Sequence, residues 1–225
     1  MKITHIHIER FRGFQNEDFE VGSLLTAIAG QNGTQKSTLL GIITQTFTLK
    51  TEDSMRVEKP LCGGSYISAF KDKFRLSPTF DKPKGHEWTI SFDAGMDDFT
   101  VESIKRTGDP NVRFWKKGAR QEGDGYISFP TIFLSLKRLV PVAAKIITDD
   151  TLLTQEELNE FKQLHNKILI AQTPISSATT ITSKNKQSIG VSTELYDWNQ
   201  NSMGQDNLGK IILALFSFKR LHDKY

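Results

Sequence analysis

Hydrophobic and polar positions alternate from the start of the chain. Over residues 2–9, Thr4, Ile6 and Ile8 share one face, which predicts a strand. Arg10-Phe11-Arg12-Gly13-Phe14 then turns the chain, and Phe19-Glu20-Val21 suggests a short second strand. The apolar run Leu24 to Ala29 has the length of a buried strand, and Ser37 to Thr48 is compatible with a helix. Between 51 and 125 the pattern breaks up at Gly63-Gly64, Pro78, Lys82-Pro83-Lys84-Gly85 and Thr107-Gly108-Asp109-Pro110. Short strand candidates lie between these breaks, Trp88–Phe92 and Phe99–Ile104, as in antiparallel hairpins. Pro130 to Leu136 reads as another buried strand. Thr154 and Glu157 fit a capping box that opens a helix with Leu158, Phe161, Leu164, His165 and Ile168 on one face. Residues 173–193 are rich in Ser, Thr and Lys with alternating apolar positions, a polar hairpin or a flexible arm. Asn207 to Lys219 predicts a last helix with Leu208, Ile211, Ile212, Leu215 and Phe218 on its face.

The segment joining the apolar run to the first helix is Gly30-Gln31-Asn32-Gly33-Thr34-Gln35-Lys36-Ser37-Thr38. Strand, glycine-bearing loop, Lys-Ser-Thr and helix is the layout of a phosphate-binding P-loop, or Walker A motif. Backbone N–H groups of such a loop converge on phosphate oxygens, and the helix N-terminus favours the anion. In that role Lys36 reaches the β- and γ-phosphates of ATP and the Ser37 hydroxyl ligates Mg²⁺. The motif wants Gly where this chain has Gln35, whose side chain narrows the backbone choice and stands next to the phosphates. The competing account is an ordinary strand–turn–helix with a surface lysine.

Composition sets limits on these readings. The chain has 225 residues, enough for one substantial α/β domain or one domain with an inserted subdomain, and its 37% hydrophobic and 24% charged residues are a globular composition. A net charge of +3 does not by itself argue for nucleic acid. No apolar run approaches a membrane span, and the N-terminus carries charges and histidines where a signal peptide needs an apolar core, so the cytoplasm is the expected compartment. Cys62 is the single cysteine, which excludes an intrachain disulfide and a cysteine metal cluster.

A second motif precedes the last helix: Asn201-Ser202-Met203-Gly204-Gln205-Asp206-Asn207. A hydroxyl, a glycine and an amide ahead of a helix N-terminus can form an anion site, although taken alone they fit a Ser-capped helix start better. Together with the P-loop, this stretch resembles the signature of ABC-type ATPase heads of the SMC, RecF and OLD group, often filed as AAA-family proteins. In that group a first strand leads into a phrase like Phe11-Arg12-Gly13-Phe14 and then into Walker A. Gly204 to Ile211, after Gly190-Val191-Ser192-Thr193, is similar to P-loop ATPases of bacterial antiphage systems such as Septu. Ser135 to Pro141 looks like their Q-loop region but has no Gln at the expected place.

The resemblance implies an ABC-type P-loop head of α/β class. It would have a mixed sheet around the Walker A helix, an inserted antiparallel β-subdomain and a helical arm. The expected segments are 1–50 with the N-terminal strands and Walker A, 51–148 with core strands and inserted hairpins, 149–200 with the arm and polar hairpin, and 201–225 with the signature and its helix. It implies that Gly30 to Thr38, and Arg12, hold ATP in cis, while Ser202, Met203, Gly204 and Gln205 reach a second head's ATP in trans. The implied partners are another copy of the chain, in a homodimer or higher oligomer, and an effector such as a nuclease. Antiphage defence is the implied setting.

A head of this kind also needs Walker B, an apolar strand ending in Asp-Glu after the signature helix, to hold Mg²⁺ and polarise water. The sequence reaches Tyr225 about where that strand should begin, so no catalytic residue is assigned. The expectation is a part of a longer ATPase, or a truncated product, that hydrolyses ATP poorly alone. The lookalike Val142 to Asp150 comes too early and carries Lys145 within its apolar run. His5 and His7 share a strand face but lack a third metal ligand, and His86, His165 and His222 are scattered. Lys105-Arg106, Arg113-Phe114-Trp115-Lys116-Lys117 and Arg120 interleave bases with aromatics, a pattern that serves nucleic acid or a solvated β-surface. Trp198 is read as packing. The alternatives to an assembly-controlling head are therefore a DNA-clamping repair ATPase and a non-catalytic assembly module whose P-loop Gln35 has spoiled.

Overall fold

The computed structural model describes residues 1–49, 58–66, 70–74, 77, 79, 81, 85–93, 95–105, 112–119, 125–134, 153–169, 173–183 and 186–224. They fall into two compact units, one within 1–50 and 67–133, the other within 51–66 and 134–225. The class is mixed α/β, with antiparallel and parallel pairings.

In chain order the first unit contains β1 (Ile3–Phe11), β2 (Phe14–Glu20), α1 (Lys36–Gln45) and β3 (Phe47–Thr48). A one-turn helix α2 (Phe70–Lys73), β4 (Glu87–Phe92), β5 (Phe99–Lys105), β6 (Val112–Lys116) and β7 (Ile127–Ser128) follow. Five strands make one antiparallel sheet in the order β2-β1-β4-β5-β6. The hairpins expected as a separate inserted subdomain thus continue the N-terminal sheet, with Ile6 opposite Ile90 and His7 opposite Thr89. β3 and β7 form a separate parallel pair.

Several boundaries differ from the expectation for identifiable reasons. The first turn is only Arg12-Gly13, because Phe11 and Phe14 pair across it, so β2 starts at Phe14 instead of Phe19. The apolar run Leu24–Ala29 is not a strand: Leu24 and Leu25 are 95% and 86% exposed. A strand of that composition needs neighbours on both sides and both faces, and no described strand lies beside it. α1 stops at Gln45, before a β-branched and aromatic run in which Phe47 joins the core. The strand expected from Pro130 lies earlier, at Ile127–Ser128. Phe129 still donates to the Thr48 carbonyl at 3.2 Å, after which Pro130 has no N–H to extend the ladder. The Q-loop-like residues 135–141 and the Walker B lookalike 142–150 lie outside the described residues.

Period-two burial defines the core of this unit. In β4, Trp88, Ile90 and Phe92 point inward, and they pack with Ile6 and Ile8 of β1, Leu39 and Ile42 of α1, and Phe99, Val101 and Phe114. Phe11 is the hub. Its ring makes edge-on contacts with Phe74 at 5.1 Å, Trp88 at 5.3 Å and Phe114 at 5.6 Å, in the preferred geometry for aromatic pairs. The residue just before the Arg12-Gly13 turn is thereby fixed by the core.

The second unit contains α3 (Gln155–Ile168), β8 (Ser177–Ser183), β9 (Lys186–Ser192), a 3₁₀ turn at Trp198–Gln200 and α4 (Met203–Lys224). β8 and β9 pair antiparallel, so the polar stretch is a hairpin. Ile189 and Val191 of the hairpin pack with Phe161 of α3 and Leu208, Ile212, Leu213 and Phe216 of α4. The buried stripe of α4 is rotated from the expected one: Leu213 and Phe216 are inside and Leu215 is out. Thr154 and Glu157 form the predicted capping box. Glu157 also takes two bonds from Arg220, 2.7 Å from Nε and 2.6 Å from Nη2, tying α3 to α4.

Two stability predictions follow from these contacts. Phe11→Ala should cost about 3–5 kcal/mol by emptying a closed aromatic site, read as a lower urea midpoint. A loss under 1 kcal/mol would show that the hub carries little. The Arg220 guanidinium, ahead of the opposing effect of burial, holds the Glu157 carboxyl below its ordinary range. A depressed carboxylate contributes stability that is complete above its unfolded value, about pH 4–5, and is lost as pH falls through the lower folded value. Stability measured between pH 6 and 3 should therefore fall more gently in Glu157→Gln than in the native chain. Parallel curves would contradict this.

Candidate nucleotide site

The loop from Gly30 to Lys36 is built around two turns. The Thr34 hydroxyl donates to the Gln31 carbonyl at 2.8 Å, closing the first. Gly33 supplies a left-handed residue there, φ 87°. Gln35 makes the second turn, with φ 62° and ψ 20°, and is the N-cap of α1. Its carbonyl accepts from Thr38 N at 2.9 Å and Leu39 N at 3.1 Å, so the helix starts at once. Left-handed backbone in a residue with a Cβ costs on the order of 1–2 kcal/mol, which the glycine of the usual motif avoids. The Gln35 side chain does not occupy the loop; its Oε1 accepts from Gly13 N at 3.2 Å.

Lys36 folds over this loop, its Nζ donating to the carbonyls of Gly30 at 2.8 Å and Gln31 at 2.5 Å. The ammonium is therefore held at the mouth of the loop, where an anion would compete with those two carbonyls. The first N–H groups of a helix lack acceptors within it; in α1 Thr38 N and Leu39 N already use the Gln35 carbonyl, which leaves Lys36 N and Ser37 N next to a loop whose residues 30–34 are exposed. Ser37 is exposed in the first turn, while Thr38 is buried. N–H groups, an ammonium and a hydroxyl are the donor set that fits a polyphosphate, and the Ser37 oxygen suits Mg²⁺.

Arg12 lies beside this site. Its Nη1 donates to Thr38 Oγ1 at 3.5 Å and its Nε is 3.5 Å from Asp81 Oδ1. The guanidinium also sits 5.5 Å from the ring centres of both Phe11 and Phe74. Gly13, which the folded hairpin brings to Gln35, and Asp81, which lies against Arg12, belong to this constellation and were not legible as such, because both contacts join residues far apart in the chain. The sequence signal nearest to them is the phrase Phe11-Arg12-Gly13-Phe14.

Ser202 to Gln205 belong to the second unit. Ser202 caps α4: Gln205 N donates to Ser202 Oγ at 3.3 Å, and Ser202 N donates to Gln205 Oε1 at 2.9 Å. Gln205 Nε2 donates in turn to the Tyr196 hydroxyl at 2.6 Å. These polar groups thus serve the helix start, as a reciprocal capping box does. Met203 and Gly204 remain exposed in the first turn.

The other candidates have structural partners. Asp18 Oδ1 lies 2.7 Å from His5 Nε2 and 2.9 Å from His7 Nδ1, and this carboxylate is the main cause that raises both imidazole pKa values. Among the described residues no group of three His, Cys, Asp or Glu side chains could hold a metal ion. Phe114 is buried and stacks on Phe70 at 4.5 Å, and Lys117 is paired with Glu87 at 2.8 Å. Trp198 packs over Gly190, Arg106 and Arg120 lie outside the described residues, and burial pushes the Cys62 thiol up to about 11. A cleft of about 580 Å³ lined by Glu9, Arg10, Glu87 and Glu102 contains no P-loop residue, and its carboxylates would repel phosphate. No described helix is long and apolar enough to cross a membrane.

The comparison with protein families adds an independent line. A family model for an AAA domain, AAA_23, matches residues 5–223, which include the P-loop, the Arg12-Gly13 turn and the start of α4. No curated protein matches the chain. On that near-complete match the chain belongs to the AAA_23 family of AAA domains, P-loop ATPases of the SMC/RecF-like group, and its domain is an ATP-binding head.

Proposed function

We propose that this head binds Mg²⁺-ATP at residues 30–38 and that its nucleotide state controls self-assembly and an associated effector. The observation that carries the reading is Lys36, held over an exposed loop at the N-terminus of α1 by two carbonyls that an anion can replace. In this reading Lys36 and the N–H groups from Asn32 to Ser37 hold the phosphates, Ser37 ligates Mg²⁺, and Arg12 stands at the edge of the site. A second copy supplies Ser202, Met203, Gly204 and Gln205 to the same nucleotide, which couples ATP binding to association.

The proposed setting is antiphage defence, with a nuclease as one candidate effector. It rests on the likeness of the Gly204–Ile211 stretch to ATPases of systems such as Septu, because an ATPase fold alone hosts many functions. The duplex-clamping alternative is less favoured. Of its proposed contacts, Phe114 is spent in the core and Lys117 in an ion pair.

Calorimetric titration with Mg²⁺ and a non-hydrolysable ATP analogue tests the reading. The native chain should bind, and Lys36→Ala should weaken binding at least about tenfold, the loss of one charge-assisted contact. Equal affinity in the two proteins, or no binding by a folded native chain, would overturn it.

A further inference from the structure

We infer that Gln35 is a positioning residue of the nucleotide site: a strut that pins the Arg12-Gly13 turn to the exit of the phosphate loop. The inference rests on the nucleotide-binding reading above. Gln35 is the N-cap of α1, yet its side chain makes no capping bond to its own helix. It crosses instead to the β1–β2 turn, where Oε1 accepts from Gly13 N at 3.2 Å.

The other half of the amide packs against Gly13 itself. A Cβ on Gly13 would stand 2.1 Å from Gln35 Nε2, so any side chain there must displace the strut. Gly13 is not among the residues with positive φ, so its missing side chain answers to the Gln35 amide and not to the backbone. Arg12 is the left-handed residue of the turn, φ 56°, and its guanidinium lies against Thr38 and Asp81. One left-handed residue with a side chain, Gln35, makes this contact, and another, Arg12, directly precedes the Gly13 that donates to it; strained backbone of this kind persists where surrounding contacts over-determine it. Phe11 fixes the turn from the core side and Gln35 from the loop side. A glycine at 35 would relax the loop exit but leave the turn without its second attachment.

The test uses the whole chain, Mg²⁺ with a non-hydrolysable ATP analogue, and amide exchange of Gly13 without nucleotide. Gln35→Ala keeps a Cβ at the left-handed position and removes only the strut. It should speed Gly13 exchange about three- to tenfold and weaken the analogue by a similar factor, the scale of one hydrogen bond. Gly13→Ala should weaken binding to the same degree, and the double variant no further, because both remove one contact. Multiplying losses in the double variant, or unchanged Gly13 exchange in Gln35→Ala, would overturn the strut. If Gly13→Ala does not fold, the exchange measurement on Gln35→Ala decides alone. Lys36→Ala separates the two readings. Loss of binding there with none in Gln35→Ala leaves ATP binding standing and removes the strut. Faster Gly13 exchange in a chain that binds no nucleotide leaves the contact but removes its role in ATP binding.

Discussion

Everything at the nucleotide site depends on one backbone constraint: the chain must enter a left-handed residue immediately before α1. That residue sets the helix start directly behind the exposed loop, with Lys36 bonded across it to the Gly30 and Gln31 carbonyls. Most P-loops meet this requirement with glycine, at little cost. Here a glutamine meets it, and the strain has to be offset by contacts nearby. The bond to Gly13 is one, and the immediate start of α1 through Thr38 and Leu39 is another. Behind them stands the aromatic cluster around Phe11, which fixes the turn that Gln35 reaches.

The second unit shows the same economy of groups at its signature-like stretch. Ser202 and Gln205 satisfy each other and the start of α4, and Tyr196 holds the Gln205 amide. A phosphate arriving there would meet the exposed residues Met203 and Gly204, but it would compete with the cap for Ser202. A helix start that is already satisfied is stable without ligand, and its contribution to binding is correspondingly smaller.

The P-loop was legible because its chemistry is local: glycines, Lys-Ser-Thr and a helix within nine residues. The capping box at Thr154 and Glu157 was legible for the same reason. Longer-range order was harder to read. Leu24 to Ala29 looks like a buried strand from composition, yet burial of a strand is conferred by paired strands, and among the described residues none pairs with it. The hairpins at 87–116 gave no sign that β4 would join β1, since register across 80 residues leaves no trace in a local pattern. The direction of Gln35 was also hidden. Its residue type predicts an obstacle in the loop, and only the folded turn shows Gly13 as its partner.

The central claim is that residues 30–38 form a polyphosphate site despite Gln35. Amide chemical shifts of the labelled chain, followed while Mg²⁺ and a non-hydrolysable ATP analogue are added, test it residue by residue. The account predicts saturable shifts concentrated at Gly33 to Thr38, with smaller ones at Arg12 and Gly13, as Lys36 leaves the Gly30 and Gln31 carbonyls. Shifts that bypass this loop, or none at saturating analogue in a folded protein, would contradict it.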